Sequence, residues 1–249
     1  MDRDEIGRIA HSRHPVAAPV SSLRLQQVIA GLAPPEDGRI VDLGCGSGAW
    51  LLQALETHPQ LSGVGVDISP SALAEARSEA AGRRLADRVR WIEADGSRWS
   101  DDGGFDVVIC VGASHAFGGL DDTLRAVRSH LRPGGEVVLG DMIWDREPTQ
   151  AALEALQVGR DELPDLAGLV ERVRESGFEV VDGHVSTLEE WDDYEWSWTG
   201  SLVRWALDRP TGSEERAEVL AVAREHRDAW LKGYRRRLGF ATLVLRQAS

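Results

Sequence analysis

Three aspartates close three apolar runs: Asp42 after Ile40-Val41, Asp67 after Val64-Gly65-Val66, and Asp95 after Trp91-Ile92-Glu93-Ala94. The first opens Asp42-Leu43-Gly44-Cys45-Gly46-Ser47-Gly48, whose glycines permit positive φ and close backbone approach to a ligand. Ala49 to Leu55 then carries helical apolar spacing, so the stretch reads as strand, glycine turn and helix, a nucleotide-binding arrangement. Gly44-x-Gly46-x-x-Ala49 satisfies the loose dinucleotide fingerprint, with Asp67 at a suitable distance for a ribose hydroxyl. An acid directly before the turn favours a different ligand, because it can meet a cationic amino group and a pyrophosphate has none. Asp67 also has a plain structural reading, as a cap for the helix beginning at Ser69-Pro70. His115, in the Gly112 to Gly119 loop after a fourth apolar run, carries an imidazole that can take a proton from an amine, hydroxyl or thiol. A histidine that only positions substrate is the competing reading. His14 and Asp141 are secondary catalytic candidates, Asp141 with a substrate-binding reading as well. No metal is expected, since His11-x-x-His14 offers two ligands without a third partner.

The elements that must position these residues alternate strictly. A first strand is predicted to end at Ile40-Val41, further strands at 61–67, 89–95, 105–111, 136–141, 178–186 and 240–246, and helices at 23–29, 47–57, 70–82, 120–131 and 163–176. A short helix around Ile6 and Ile9 precedes them, and His11 to Val16 suits neither helix nor strand. Alternation of this kind implies a parallel sheet with helices on both faces, whose ligands sit beyond the carboxyl ends of the strands. A chain of 249 residues is read as one domain. Its parts are an arm and helix at 1–33, a ligand-binding core at 34–145, and a helical insertion at 188–238 that holds five of the nine tryptophans. Trp191, Tyr194, Trp198, Leu202 and Trp205 recur at helical spacing and define one apolar face, for packing the insertion or for lining a substrate cavity. The formal charge of −13 is unfavourable for binding a sheath of phosphates. Cys45 and Cys110 are too few for a disulfide scaffold, and no uncharged run is long enough to span a bilayer, so a cytoplasmic protein is expected. Arg235-Arg236-Arg237 reads as a solvated helix face, or as a patch for an acidic acceptor.

Several of these stretches carry a resemblance. Asp42-x-Gly44-x-Gly46-x-Gly48 resembles motif I of class I S-adenosylmethionine (SAM) dependent methyltransferases, and Leu131-Arg132-Pro133-Gly134-Gly135-x-Val137-Val138-Leu139 resembles the turn before their fifth strand. Asp95-Gly96 resembles the loop that binds the adenine amine. Cys110-Val111-Gly112-Ala113 with Gly118-Gly119, and Glu190-Trp191-Asp192-x-Tyr194-Glu195, resemble a group of bacterial methyltransferases of undefined substrate. The resemblance implies an α/β fold: a seven-stranded, doubly wound, mostly parallel sheet whose last strand is antiparallel and lies between strands five and six, with the Trp-rich helical insertion between strands six and seven. It implies SAM as cofactor, S-adenosyl-L-homocysteine as product, and a binding set of Asp42, Gly44, Cys45, Gly46, Gly48, Asp67, Ile68, Ala94, Asp95, Gly96, Val111 and Gly112. In this scheme Asp42 meets the methionyl end, Asp67 the ribose, and Gly112 lets the backbone approach the sulfonium, while the arm and the insertion close over the site.

Acceptor classes are weighed by what the chain lacks. The loop after strand four is Gly112-Ala113-Ser114-His115 where adenine-specific DNA methyltransferases carry an Asn/Asp-Pro-Pro-aromatic motif, and no Pro-Cys pair is present for cytosine C5 chemistry. Asp145 and Glu147 make a thin acid set for a divalent-metal O-methyltransferase. A small molecule with a nitrogen, oxygen or sulfur nucleophile is the expected acceptor, with protein or RNA behind it, and neither DNA nor membrane as partner. The competing functions are a SAM-binding protein without transfer activity and a nicotinamide oxidoreductase.

Overall fold

The computed structural model describes every residue except Asp2, Pro15 and Ser249, so the Pro15 position of the arm lies outside the described residues. Its strands are β1 (Arg39–Leu43), β2 (Ser62–Asp67), β3 (Val89–Glu93), β4 (Phe105–Val111), β5 (Leu131–Trp144), β6 (Phe178–Val185) and β7 (Leu238–Gln247). The helices are α1 (Arg3–His11), α2 (Ser22–Ala30), α3 (Ala49–Thr57), α4 (Pro70–Gly82), α5 (Leu120–His130), α6 (Gln150–Leu156), α7 (Leu166–Glu175), α8 (Leu188–Leu207) and α9 (Glu214–Asp228). All seven strands form one sheet in the order β3-β2-β1-β4-β5-β7-β6. β1 is parallel to both β2 and β4, and the β2–β3 and β4–β5 pairs are parallel too. β7 runs antiparallel to β6 and lies between it and β5, the expected placement of the last strand.

The chain divides into two compact units, one built on Ser21–Asp141, Ala167–Val185 and Ala241–Ser249, the other on Met1–Val20, Met142–Leu166 and Ser186–Phe240. In the sheet unit, Ile40, Val41 and Leu43 of β1 and Phe105, Val107, Val108 and Ile109 of β4 are fully buried. Their unbroken apolar runs suit strands covered on both faces. Ser21 caps α2 and Ser69 caps α4, which has Pro70 in its first turn, so both starts follow the side-chain chemistry read from the sequence. Trp91 of β3 explains two glycines by packing alone: a Cβ at Gly65 or at Gly48 would come within 2.4 or 2.5 Å of its indole ring.

Two elements differ from expectation. β5 starts at Leu131 and runs to Trp144, where the sequence suggests 136–141. Leu131 pairs with Phe105 and Glu136 with Val107, so Arg132-Pro133-Gly134-Gly135 is absorbed as a register shift inside the strand rather than preceding it. α6 goes unpredicted, because seven residues with few large apolar side chains give no periodic signal.

In the helical unit, Ile9 and Ala10 of α1 pack with Leu202 and Ala206 of α8 and with Val219 and Ala223 of α9. α8 begins with a capping box between Thr187 and Glu190. Its buried stripe overlaps the face the aromatic spacing suggests, since Trp191 and Leu202 belong to both and Trp198 and Trp205 pack against the cluster of Leu202 and Ala206. Trp191, Glu195, Thr199, Leu202 and Ala206 turn inward, while Tyr194, Trp198 and Trp205 are half-buried. A buried acid replaces an aromatic ring on that stripe because it is partnered: Glu195, 2% exposed, accepts from Tyr234 Oη at 2.7 Å and sits 2.8 Å from His226 Nε2. Burial and the adjacent Glu195 push the Tyr234 hydroxyl well above its usual pKa, so it stays a donor. Tyr234→Phe is expected to lower unfolding free energy by about 1–3 kcal/mol, since it leaves a buried carboxylate oxygen without its donor. A urea midpoint unchanged from wild type would show that the hydroxyl does not support the acid.

The three arginines after this region do not share a helix face. A π-helical turn ends at Tyr234. Arg235 is held by Asp192 through two contacts of 2.8 and 2.6 Å, Arg236 takes a left-handed backbone at φ 65°, and the Arg237 carbonyl accepts from Asp145 and Arg146 N–H.

Candidate functional site

At β1 the chain has β2 on one side and β4 on the other, so successive connections diverge and leave a crevice at the carboxyl ends. A cavity of about 330 Å³ lies there. It is lined by Gly44 after β1, Val66, Asp67 and Ile68 at the end of β2, Asp95 and Gly96 after β3, and Gly112 to Phe117 after β4 with the exception of Ser114. Its volume falls at the lower end for small-molecule sites.

The glycine turn is built for close approach. Gly44 has φ 77°, and a Cβ there would lie 2.5 Å from the Ala113 Cβ, so only glycine fits. Gly46 has φ 52°, and a Cβ there would meet nothing within 4 Å, which leaves that face of the turn open to a ligand. Asp67 holds the turn with both oxygens: Oδ2 accepts from Gly46 N–H at 2.7 Å, and Oδ1 accepts from Ser69 N–H at 2.9 Å. The structural role weighed for Asp67 is therefore real, although Ser69 itself is the cap of α4. Each carboxylate oxygen keeps a lone pair for a second donor.

Asp95 is fixed by its own loop. The Ser97 hydroxyl and N–H donate to Oδ1 at 2.6 and 3.0 Å and hold the carboxyl below the usual range. Beside it, Ile68 leaves 73% of its surface exposed, an uncovered apolar side chain on the wall of a cavity. Phe117 faces Gly96 so closely that a Cβ at 96 would lie 3.1 Å from its ring. Phe117, Val66, Ala113 and Ala116 were not singled out by sequence. For Phe117, the signal was an aromatic two residues after His115 in a glycine-bounded loop.

His115 lines the cavity from a 3₁₀ turn, Ser114–Phe117. The neighbouring Ser114 hydroxyl donates to Asp141 Oδ1 at 2.8 Å, which ties that turn to β5. Asp141 itself is buried and does not line the cavity, so the structure gives it a hold on the His115 turn. His14 belongs to the helical unit, where its Nδ1 donates to the Val16 carbonyl and its ring meets Tyr194 edge-on.

Cys45, Gly46, Gly48, Ala94 and Val111 stand beside the lining residues without forming the wall. Asp42 is strongly perturbed by its surroundings. It is 2% exposed, and burial, with the nearby Asp67 charge, pushes its carboxyl up to about 8. Leu51 N–H, in the first turn of α3, donates to the carboxylate. Oδ2 is buried with no hydrogen-bond partner among the described residues. A buried acid with one unsatisfied oxygen, two residues before an open glycine turn, suits a ligand that brings positive charge.

The chain is similar to known proteins. The family described as "Methyltransferase domain" matches residues 41–137. The uncharacterized protein YjhP of Escherichia coli (strain K12) is 30% identical over 224 residues, 88% of this chain and 90% of that one. A SAM-dependent methyltransferase from Thiobacillus denitrificans, solved in complex with S-adenosyl-L-homocysteine, is 28% identical, with a TM-score of 0.89 over 99% of this chain and 100% of that one. A tRNA U34 carboxymethyltransferase of Actinobacillus succinogenes (strain ATCC 55618 / DSM 22257 / CCUG 43843 / 130Z) is 29% identical over 74% of this chain, which spans only 59% of that protein. The sheet order, the glycine turn and these likenesses together place the chain in the class I SAM-dependent methyltransferase family.

Proposed function

We propose that the cavity at the β1, β2, β3 and β4 ends holds the nucleoside of SAM and that the acceptor is a small molecule. One observation carries the reading: two carboxylates, an uncovered apolar side chain and a histidine, contributed by three separate strand ends, line the same cavity. Asp67 uses its remaining lone pairs for the ribose hydroxyls, and Asp95 accepts from the adenine amine. Ile68 and Phe117 cover the faces of the base, a burial that stabilises binding in proportion to the apolar area removed from water. Gly46 leaves room for the methionyl chain, and Gly112 does so beside the sulfur. Asp42 gives up its proton as positive charge arrives, which satisfies its buried oxygen electrostatically.

SAM supplies a methyl group on cationic sulfur, so the new bond to acceptor nitrogen, oxygen or sulfur forms as the carbon–sulfur bond breaks and sulfur keeps the electron pair. Alignment is then the main task of the protein, and correct geometry lowers such a barrier by roughly 7–11 kcal/mol. His115 accepts the proton that the nucleophile loses. Asp141 acts as a positioning residue through Ser114. The formal charge of −13 supports a small acceptor over a polyanion.

A transfer assay with methyl-labelled SAM, run in parallel over a metabolite library, a bulk tRNA pool and a protein extract, tests this directly. Label in a metabolite supports the reading, and label in the tRNA or protein arm alone replaces the acceptor. With the acceptor in hand, His115→Ala should leave the SAM dissociation constant unchanged and slow turnover by about 10²–10⁴-fold. An unchanged rate removes the proton-accepting role.

A further inference from the structure

Three histidines from three segments of the helical unit gather beside one helix. His11 ends α1, His14 follows it in the arm, and His226 lies in the last turn of α9. The His11 and His14 rings lie 5.9 and 5.4 Å from that of Tyr194 on α8, and the His226 ring stacks 3.8 Å from that of Trp198 on the same helix. Tyr234 Oη and His226 Nε2 each take one oxygen of the buried Glu195, so this carboxylate is engaged at both oxygens.

The two arm histidines differ in where a second proton can go. His14 Nδ1 donates to the Val16 carbonyl, so its other nitrogen carries the lone pair and receives the proton. His11 Nδ1 is shielded from solvent and has no hydrogen-bond partner among the described residues. A neutral imidazole tolerates that position, because a bare ring nitrogen only forgoes a donor. An imidazolium must carry N–H at both nitrogens, and the one at Nδ1 would be a buried donor with nothing to receive it. Burial, with charge on His14 and on His226, accordingly pulls the His11 imidazole down to about 4. The carboxyl-terminal dipole of α1 favours a cation at His11 and offsets part of this. Arg8 and Arg13 on the arm are exposed cations, the Tyr194 and Tyr234 phenols stay neutral, and Glu195 is committed to its two partners.

The docking that this proton would oppose is modest in extent. Nine residues are too few for a helix to persist alone in water, so α1 is held by its contacts. Its buried residues, Ile9 and Ala10, meet Leu202, Ala206, Val219 and Ala223. We infer that the amino-terminal arm is a proton-linked clasp: α1 docks on α8 and α9 while His11 is neutral, and acid releases it by placing a proton on a nitrogen that has neither solvent nor an acceptor. In the undocked arm His11 returns to the ordinary histidine pKa of about 6.5, so docking is fully favoured above that value and weakens as pH falls toward 4. The device is independent of which atom the enzyme methylates.

Hydrogen exchange of the full chain at pH 7.5 and pH 5.5, followed peptide by peptide by mass spectrometry and corrected for intrinsic exchange rates, tests the clasp. Protection across α1 should fall by about tenfold relative to β4 at the lower pH, the ratio set by uptake of one proton on release. His11→Phe keeps an aromatic ring beside Tyr194 and cannot titrate, so its arm should be protected equally at both pH values, and His11→Gln should show the same without the ring. Wild-type protection of α1 that does not change between the two pH values overturns the proposal. So does a pH-dependent loss that persists in either variant while β4 is protected as in wild type, and neither result touches the methyltransferase assignment.

Discussion

Asp67→Ala is expected to abolish measurable SAM binding, with a loss of at least about 100-fold in affinity. Two separate contributions vanish together. Asp67 Oδ2 holds the Gly46 N–H at 2.7 Å, so the glycine turn loses the anchor that keeps its open face in place. The same carboxylate is the proposed acceptor for both ribose hydroxyls. Hydrogen bonds to a charged group contribute about 1.5–3 kcal/mol each, and two of them give the stated loss. Asp67→Asn keeps an oxygen for one hydroxyl but loses the charge, so its affinity should fall between wild type and alanine. Titration calorimetry with SAM and with S-adenosyl-L-homocysteine reads the outcome, and thermal unfolding without ligand separates it from stability. An alanine variant that melts several degrees lower yet binds SAM within threefold of wild type would reduce Asp67 to a structural hold on the Gly46 and Ser69 N–H groups.

Asp42→Asn should separate stability from ligand binding, and pH reveals it. The carboxyl is raised to about 8 in the fold, against about 3.9 in an unfolded chain. Between these values the folded protein keeps a proton that the unfolded chain has released. Folding stability therefore falls as pH rises from 4 to 8, by on the order of 5 kcal/mol in total, and then levels. Asparagine carries no such proton, so the variant without SAM should match wild type near pH 4 and exceed it increasingly toward pH 8. Other titrating groups are common to both proteins and cancel in the difference. SAM affinity should move oppositely: in wild type it rises with pH as Asp42 becomes free to ionise beside a cation, while in Asp42→Asn it is lower and flat. Urea midpoints and SAM titrations at pH 5, 6.5 and 8 provide both readings. A wild-type minus variant difference that stays constant across those three pH values would mean that Asp42 is not a buried, protonated acid.

Much of the site was legible because its parts are local. A strand end, a glycine run and an acid within a few residues announce a ligand-binding turn, and Asp67, Ile68, Asp95, Gly96, Gly112 and His115 all meet at the cavity. Each of them follows a strand, and parallel strands deliver their carboxyl ends to one edge. Less local features escaped. Phe117 matters through its approach to Gly96, twenty-one positions earlier, and no periodicity records that contact. The aromatic spacing in α8 marked a packed face through Trp191, Trp198, Leu202 and Trp205 but gave no sign that Glu195 is buried, because that was decided by partners on other elements: Tyr234 and His226 make room for it.

By itself, then, the sequence determined the element order, the parallel core, the glycine turn and the three strand-end acids. Those follow from hydrophobic period, chain connectivity and backbone permissiveness, which act over a few residues at a time. Only the tertiary structure decided that Asp42 is buried and raised in pKa, that Asp141 serves Ser114, and that adjacent arginines part ways into a carboxylate pair, a left-handed turn and a backbone contact. Charge and burial are set by what lies across space from a residue, so their consequences appear once the chain has closed on itself.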